Sequence, residues 1–304
     1  MKNTNHKIVP VLITCDIDPT PEASIEEKRY ALEKTRQMFK KYSVKGTFYI
    51  VGNIAGGYRE QIHRLLNDGH EIGCHGLTHE EDEEYNHVNE NTAIKYIGEA
   101  TKKIMHETNR PVTSFRGPRV KTSHLTQKAL KELGYAADSS VCSQRLDFIS
   151  SNLINLQWLY APRKPYHPHK NNAFRRGRQS LWVIPVTAFI VPFISATLYV
   201  FGNGIMQIFF RLFYCESKLT GKPIVYLLHP SEFAPHHNKI SYTKSLRSIL
   251  RRGFYFRRRL KLSGSADKRF LKTENMIADM AKFQKVRFMT TQQYVEYLEN
   301  EKKL

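Results

Sequence analysis

Short apolar runs separated by amphipathic stretches set the rhythm of this chain. Val9 to Thr14 is a run without polar alternation, the pattern of a parallel strand covered on both faces. Ser24-Ile-Glu-Glu27 has the form of a capping box. The helix it opens is expected to reach about Tyr42, with Tyr30, Leu32, Met38 and Phe39 among its apolar residues. Gly46 to Val51 predicts a second strand, and Arg59 to Leu66 a short helix ended by the turn signal Asn67-Asp-Gly69. Glu71 to Cys74 is a third strand, Asn91 to His106 a helix, Val112 to Phe115 strand-like, and Leu125 to Leu133 a helix stopped at Gly134 before Tyr135-Ala-Ala-Asp138. The pattern returns in a strand from Pro223 to Leu228, a helix from about Lys272 to Phe283, a strand from Val286 to Met289 and a final helix from Thr291. Strands alternating with helices predict βα units and a parallel sheet or barrel. One catalytic domain over residues 1–304 accounts for the pattern, with 142–221 as an inserted or variable segment within it.

Parallel βα proteins carry their sites at the carboxyl ends of strands. Here those ends deliver Asp16 and Asp18, then His75 and His79, then Arg116, Asp138 and His229. Two histidines four residues apart can reach one ion from a tight loop. With a carboxylate they form a set that leaves coordination positions open for water and substrate. Either element alone is weak, because His-x3-His occurs in ordinary loops and Asp-x-Asp in calcium and phosphate sites. The acidic run Glu80 to Glu84 reads as a solvated loop, and His167, His169, His236 and His237 as surface residues without a required function.

Composition and local pattern change the picture in four ways. The 304 residues are 41% hydrophobic and 25% charged, which excludes a disordered chain and leaves ample material for a core. The four cysteines, Cys15, Cys74, Cys142 and Cys215, form no CxxC pair and read as reduced thiols. The apolar stretch Ile8 to Cys15 runs straight into acidic residues and lacks the form of a signal peptide, so the expected location is cytoplasmic. The formal charge of +19 points to a polyanionic partner.

The motifs Thr14-Cys-Asp16-Ile-Asp18, His75-Gly-Leu-Thr-His79, Ser114-Phe-Arg116-Gly-Pro118, Asp138 and Leu227-Leu-His229-Pro stand in an order that resembles the polysaccharide deacetylases, carbohydrate esterase family 4, with their NodB homology domain. Gly46-Thr-Phe-Tyr49, Asn67-Asp-Gly-His-Glu-Ile-Gly-Cys-His75 and Phe288-Met-Thr-Thr add to the likeness, which covers about residues 8 to 140 and 222 to 300. The resemblance implies a distorted (β/α) barrel and a metal-dependent hydrolase that removes an N-acyl group, most often acetyl, from an amino sugar. It implies one divalent metal, zinc first, held by Asp18, His75 and His79. Asp16 is then the general base, Arg116 holds and orients Asp16, and the backbone N–H of Arg119 joins the metal in binding the oxyanion. His229 protonates the departing amine, with Asp138 holding His229. The chain departs from the family pattern at Ile17, which separates two often adjacent aspartates. It departs again at Arg119 and Val120, where an aromatic residue and a glycine often stand, and at Ser139 and Ser140, where a tryptophan often follows the aspartate. Trp158 or Trp182 could supply that wall.

Leu181 to Phe210 contains no charged residue, and Lys244 to Lys272 carries eleven basic residues and one acid, Asp267. The first stretch reads as a buried strand plus core helix, as a hairpin dipping into a membrane, or as a spanning helix, the last opposed by Pro185, Pro192, Gly202 and Gly204. The second, interleaved with Phe254-Tyr-Phe256, suits a peripheral anionic membrane surface better than nucleic acid, and also reads as a solvated basic loop. Together they suggest a lipid- or nucleotide-linked glycan precursor as substrate. A deformylase on a lipid-linked amino sugar, a cyclic amide or imide hydrolase, and a non-catalytic glycan or lipid binder are the alternatives. Oligomeric state is not legible.

Overall fold

The computed structural model describes residues 8–145, 157–235 and 264–303. Strand β1 (Val9–Ile17) is buried along its whole length and runs past its apolar residues, so Asp16 lies inside the strand and Asp18 just beyond it. It pairs in parallel with β11 (Ile224–Leu228) and with β2 (Gly46–Ile50). The sheet continues through β3 (Glu71–Cys74), β4 (Ser114–Phe115), β5 (Ala137–Asp138) and β8 (Trp182–Val183), all parallel. Strand β12 (Val286–Phe288) pairs with the first residues of β1.

The chain after β8 returns to the far edge of this sheet. Thr187 N–H donates to the Val225 carbonyl at 3.2 Å, and Val225 N–H donates to Thr187 Oγ1 at 2.9 Å. Ile194 makes a parallel bridge to Leu227. The result is a distorted (β/α) barrel whose last wall, residues 184–194, is irregular backbone apart from one short strand pair. Two short antiparallel pairs decorate it, β6 (Pro168–His169) with β7 (Asn172–Arg176) and β9 (Ala188–Phe189) with β10 (Val191–Pro192).

Helices cover the outside of the barrel. In α1 (Ile25–Lys41) the Ser24 hydroxyl accepts from Glu27 N–H while the Glu27 carboxylate accepts from Ser24 N–H, the expected reciprocal cap. Helices α2 (Arg59–Asn67), α3 (Glu90–Thr108), α4 (His124–Glu132) and α5 (Gln157–Tyr160) follow. Helix α6 (Ser195–Thr220) packs on β11 and is interrupted at Gly202, whose φ of 80° and ψ of 171° are not helical. Helix α7 (Ala266–Ala281) begins at Ala266 rather than near Lys272, because the Ser265 hydroxyl accepts from Lys268 N–H and caps it there. Helix α8 (Thr291–Lys303) ends the described chain.

The uncharged stretch therefore resolves into short strands, the irregular wall and the start of α6. Among the described residues no helix is long and apolar enough to cross a membrane. On α6, Met206, Phe210 and Phe213 are buried, whereas Ile205, Ile208, Leu212 and Leu219 lie on the exposed side. Lys268 is exposed on α7, but Arg269 is buried and structural, donating through Nε to the Glu232 carbonyl at 2.6 Å. Lys272, also on α7, is half-buried, and the eight basic residues at 244–261 lie outside the described residues, as do His236 and His237. The four cysteines are free thiols, with Cys15, Cys74 and Cys142 buried and Cys215 exposed.

Candidate metal centre and catalytic site

Asp18, His75 and His79 converge where β1 and β3 end, each offering one ligand atom within 4.8 Å of the others. Asp18 Oδ1 lies 3.2 Å from His75 Nε2 and 3.8 Å from His79 Nε2. His75 Nδ1 sits 2.7 Å from the Arg116 carbonyl, which accepts only from Nδ1–H, so Nε2 is the atom turned toward Asp18. A lone pair on Nε2 then faces a carboxylate oxygen, and such a pair needs a proton or a cation between them. Asp18 Oδ1 is also buried without a hydrogen bond of acceptable geometry among the described residues. The donor set, two imidazole nitrogens and a carboxylate with an orphaned oxygen, fits a divalent cation. Burial opposes ionisation of Asp18, but His79, His75 and His229 outweigh it and hold the carboxyl well below its ordinary range.

The loop that carries the two histidines is built around Glu83. This carboxylate is 1% exposed and accepts from the backbone N–H groups of Leu77, Thr78 and His79, from the Thr78 hydroxyl and from the Tyr85 hydroxyl. Gly76 has a φ of +78°, and a Cβ there would stand 2.7 Å from Glu83 Oε1, so the turn admits only glycine. The acidic run is thus not simply a solvated loop, because Glu83 points inward and organises the ligand turn. Burial raises its pKa and the N–H donors reverse this, leaving the carboxyl below its usual range.

Asp16 is 2% exposed. Its Oδ1 accepts from Arg116 Nη1 at 2.9 Å, and its Oδ2 lies 3.9 Å from His75 Nε2. Arg116 is wholly buried. It also donates to the Thr14 hydroxyl, the Ser139 carbonyl and the Ser139 hydroxyl, and lies over the Tyr49 ring at 4.5 Å. A guanidinium so bound has one rotamer, which fixes the carboxylate it holds. Ser139 and Ser140 are therefore not idle departures. The Ser140 hydroxyl accepts from Gly117 N–H at 2.7 Å, tying the loop after β4 to the end of β5.

Arg119 and Val120 both have positive φ, 58° and 57°, and follow this loop. For a β-branched valine that conformation is strained, and such strain gathers at functional sites. The Arg119 guanidinium reaches back to the His79 carbonyl at 3.2 Å.

His229 follows β11, with Nε2 3.7 Å from Asp18 Oδ2. Asp138, expected to hold His229, is bonded to other residues. Asp138 Oδ1 accepts from Ser140 N–H, and Oδ2 accepts from the Thr122 hydroxyl and the Gln127 amide, so the carboxylate braces β5 and α4. His229 Nδ1 instead lies 3.3 Å from Glu232 Oε1. Trp158 and Trp182 are buried in a second apolar cluster with Tyr166, Ile184 and Val225, and the Trp182 indole donates to Glu299.

Residues 4–137 match the family model "Polysaccharide deacetylase". A curated peptidoglycan deacetylase of Helicobacter pylori is 27% identical over 105 residues, 34% of this chain and 35% of that protein, so the match spans about a third of the relative's length. A crystal structure of a putative polysaccharide deacetylase from Mycobacterium smegmatis is 15% identical with a TM-score of 0.64, covering 98% of this chain and 92% of that one. A probable polysaccharide deacetylase from Pseudomonas aeruginosa PAO1 is 16% identical at a TM-score of 0.60, with coverage of 98% and 92%. An allantoinase is 14% identical at a TM-score of 0.60, with coverage of 99% and 92%. At these identities the structural likeness speaks for the fold. Residues 4–137 thus resemble the polysaccharide deacetylases in sequence, and the whole chain shares the fold of solved members of that family.

Proposed function

We propose that this protein is a metal-dependent hydrolase that removes an N-acyl group, most often acetyl, from an amino sugar. The observation that carries the reading is the convergence of three ligand atoms from Asp18, His75 and His79 beside a carboxylate, Asp16, clamped by a buried arginine. Imidazole and carboxylate donors with open positions favour zinc, which when bound lowers the pKa of a water and polarises the acyl oxygen.

The protein's own residues supply the rest. Asp16 has one oxygen occupied by Arg116 and the other turned to the ligand cluster, where it can take a proton from water. His229 stands across Asp18 from that carboxylate and gives a proton to the departing nitrogen. The C–N bond breaks with its electron pair on nitrogen, water supplies the new C–O bond, and the products are a carboxylate and an amine. The backbone N–H of Arg119, on the strained turn beside the ligand loop, is the proposed oxyanion donor.

The substrate class that suits this protein is a glycan precursor on a lipid or nucleotide carrier. The exposed apolar side of α6, with Arg211 and Lys218 along it, and a formal charge of +19 support contact with an anionic membrane face. Zinc-loaded protein should release acetate from at least one member of a panel of acylated amino sugars, free, nucleotide-linked and prenyl-linked, with His75→Ala and His79→Ala losing both metal and turnover. Turnover of a cyclic ureide alone, or full metal content in both variants, would overturn the reading. Sedimentation with anionic vesicles that weakens in an Ile208→Ser, Leu212→Ser protein would favour the lipid carrier over the nucleotide.

A further inference from the structure

We infer that Glu232 is the positioning residue for His229, held in place from helix α6 by Tyr199. Glu232 lies on the 3₁₀ turn Pro230–Phe233, three residues after His229, and that turn folds its carboxylate back beneath the imidazole. Glu232 is 2% exposed, a burial that a carboxylate tolerates only when bonded. Its Oε1 is 3.3 Å from His229 Nδ1, an ion-pair contact that falls short of hydrogen-bond geometry, and its Oε2 accepts from the Tyr199 hydroxyl at 3.0 Å. The same hydroxyl lies 3.2 Å from Thr273 Oγ1 on α7, and Arg269 fixes the Glu232 backbone through its carbonyl. Two helices that contribute nothing else to the site therefore converge on one carboxylate.

The consequence for His229 is a preferred tautomer. Nδ1 faces the Glu232 carboxylate, which favours the tautomer with its proton there, and Nε2 is the nitrogen presented toward Asp18, the side on which a substrate nitrogen would depart. Asp138 is instead engaged by Ser140, Thr122 and Gln127, bonds that brace β5 and α4. The arrangement moves the orienting carboxylate from the end of β5 to the turn directly after β11, on the same short segment as the histidine.

The kinetic arm of the test rests on the hydrolase reading, and the spectroscopic arm does not. Glu232→Met keeps the side-chain volume and removes the acceptor, whereas Glu232→Gln keeps an acceptor and removes the charge. On an N-acetylglucosamine oligomer, Glu232→Met should lower kcat about tenfold to hundredfold with KM within about twofold, and Glu232→Gln should recover to within about fivefold of the parent. On 4-nitrophenyl acetate, whose leaving group departs without a proton, the same variants should stay within about threefold. Equal losses on amide and phenyl ester at unchanged metal content would mean a merely structural role and overturn the inference. Independently, ¹⁵N spectra of histidine-labelled, zinc-loaded protein should assign the proton of His229 to Nδ1 in the parent and lose that preference in Glu232→Met. An unchanged His229 tautomer in Glu232→Met would overturn the inference even if no sugar were turned over. Where Glu232→Met does not fold, Tyr199→Phe takes its place in both arms, with a smaller loss in the same direction, and no change in either arm counts against the proposal.

Discussion

The carboxyl ends of β1, β3 and β4 and the wall formed by residues 184–194 close the same barrel in opposite ways. At the first, polar side chains are buried and each is bound by several partners. Arg116 meets Asp16, Thr14 and Ser139, and Glu83 gathers three backbone N–H groups. At the second, the backbone is irregular, the link to β11 rests on Thr187 and Ile194, and large apolar side chains such as Phe189 and Ile190 stay half exposed. The difference teaches that chemistry fixes atoms, while closure of a sheet only needs its backbone groups paired and its apolar side filled. The first region has little tolerance for change, and the second has more.

That contrast can be broken most severely at Asp16. Asp16→Asn should lower kcat by about 10²–10⁴, the usual contribution of one proton-transfer group, while the metal stays bound. Elemental analysis beside steady-state kinetics would show it, and a metal-free variant would return Asp16 to the ligand set. Next in size is a pH effect at the opposite, amino end of the same strands. His70 accepts from Gly46 N–H at 3.1 Å and packs against Phe39 and Phe48, and burial, aided by Lys45, pushes its pKa down to about 4. The folded protein thus resists a proton that the unfolded chain accepts near pH 6.5. Stability present above that pH should fall as pH drops toward 4, by about 3 kcal/mol in all. Urea melts across this window should show the slope, and His70→Gln should flatten it. A third test, Glu83→Gln, deprives the ligand turn of acceptors and should weaken metal affinity about tenfold to hundredfold, read by competition with a chelator. The smallest effect belongs to the wall. Thr187→Val leaves the buried Val225 N–H without its acceptor and should cost about 1–3 kcal/mol in a urea melt, with metal content unchanged. A loss of metal there would show that the two regions are not separable.

Much of the first region was legible in the sequence because its determinants are local. An apolar run followed by Asp-x-Asp, a glycine inside His-x3-His and an arginine after Phe115 each mark a strand end without reference to the rest of the chain. What was not legible depends on distance in space. His229 chose between Asp138 and Glu232, and nothing in the spacing of Asp138 shows that Thr122 and Gln127 would occupy it, although Glu232 three residues after His229, behind a proline, was a local signal. Glu83 was hidden among four other acidic or solvated neighbours, where charge alone suggests water. The wall was illegible for a different reason, since irregular backbone carries no period, and α7 was placed too late because basic residues masked the Ser265 cap.

The break between one exposed and three buried thiols gives the molecule a built-in reporter. Burial pushes the Cys74 thiol up to about 12 and the Cys15 thiol well above its ordinary range, so neither presents a thiolate to a reagent. Cys215 stands alone on the open side of α6, between Leu212 and Leu219. A polarity-sensitive maleimide dye should therefore attach to the unmutated protein at one position, and its emission on adding vesicles would tell whether that face of the helix leaves water.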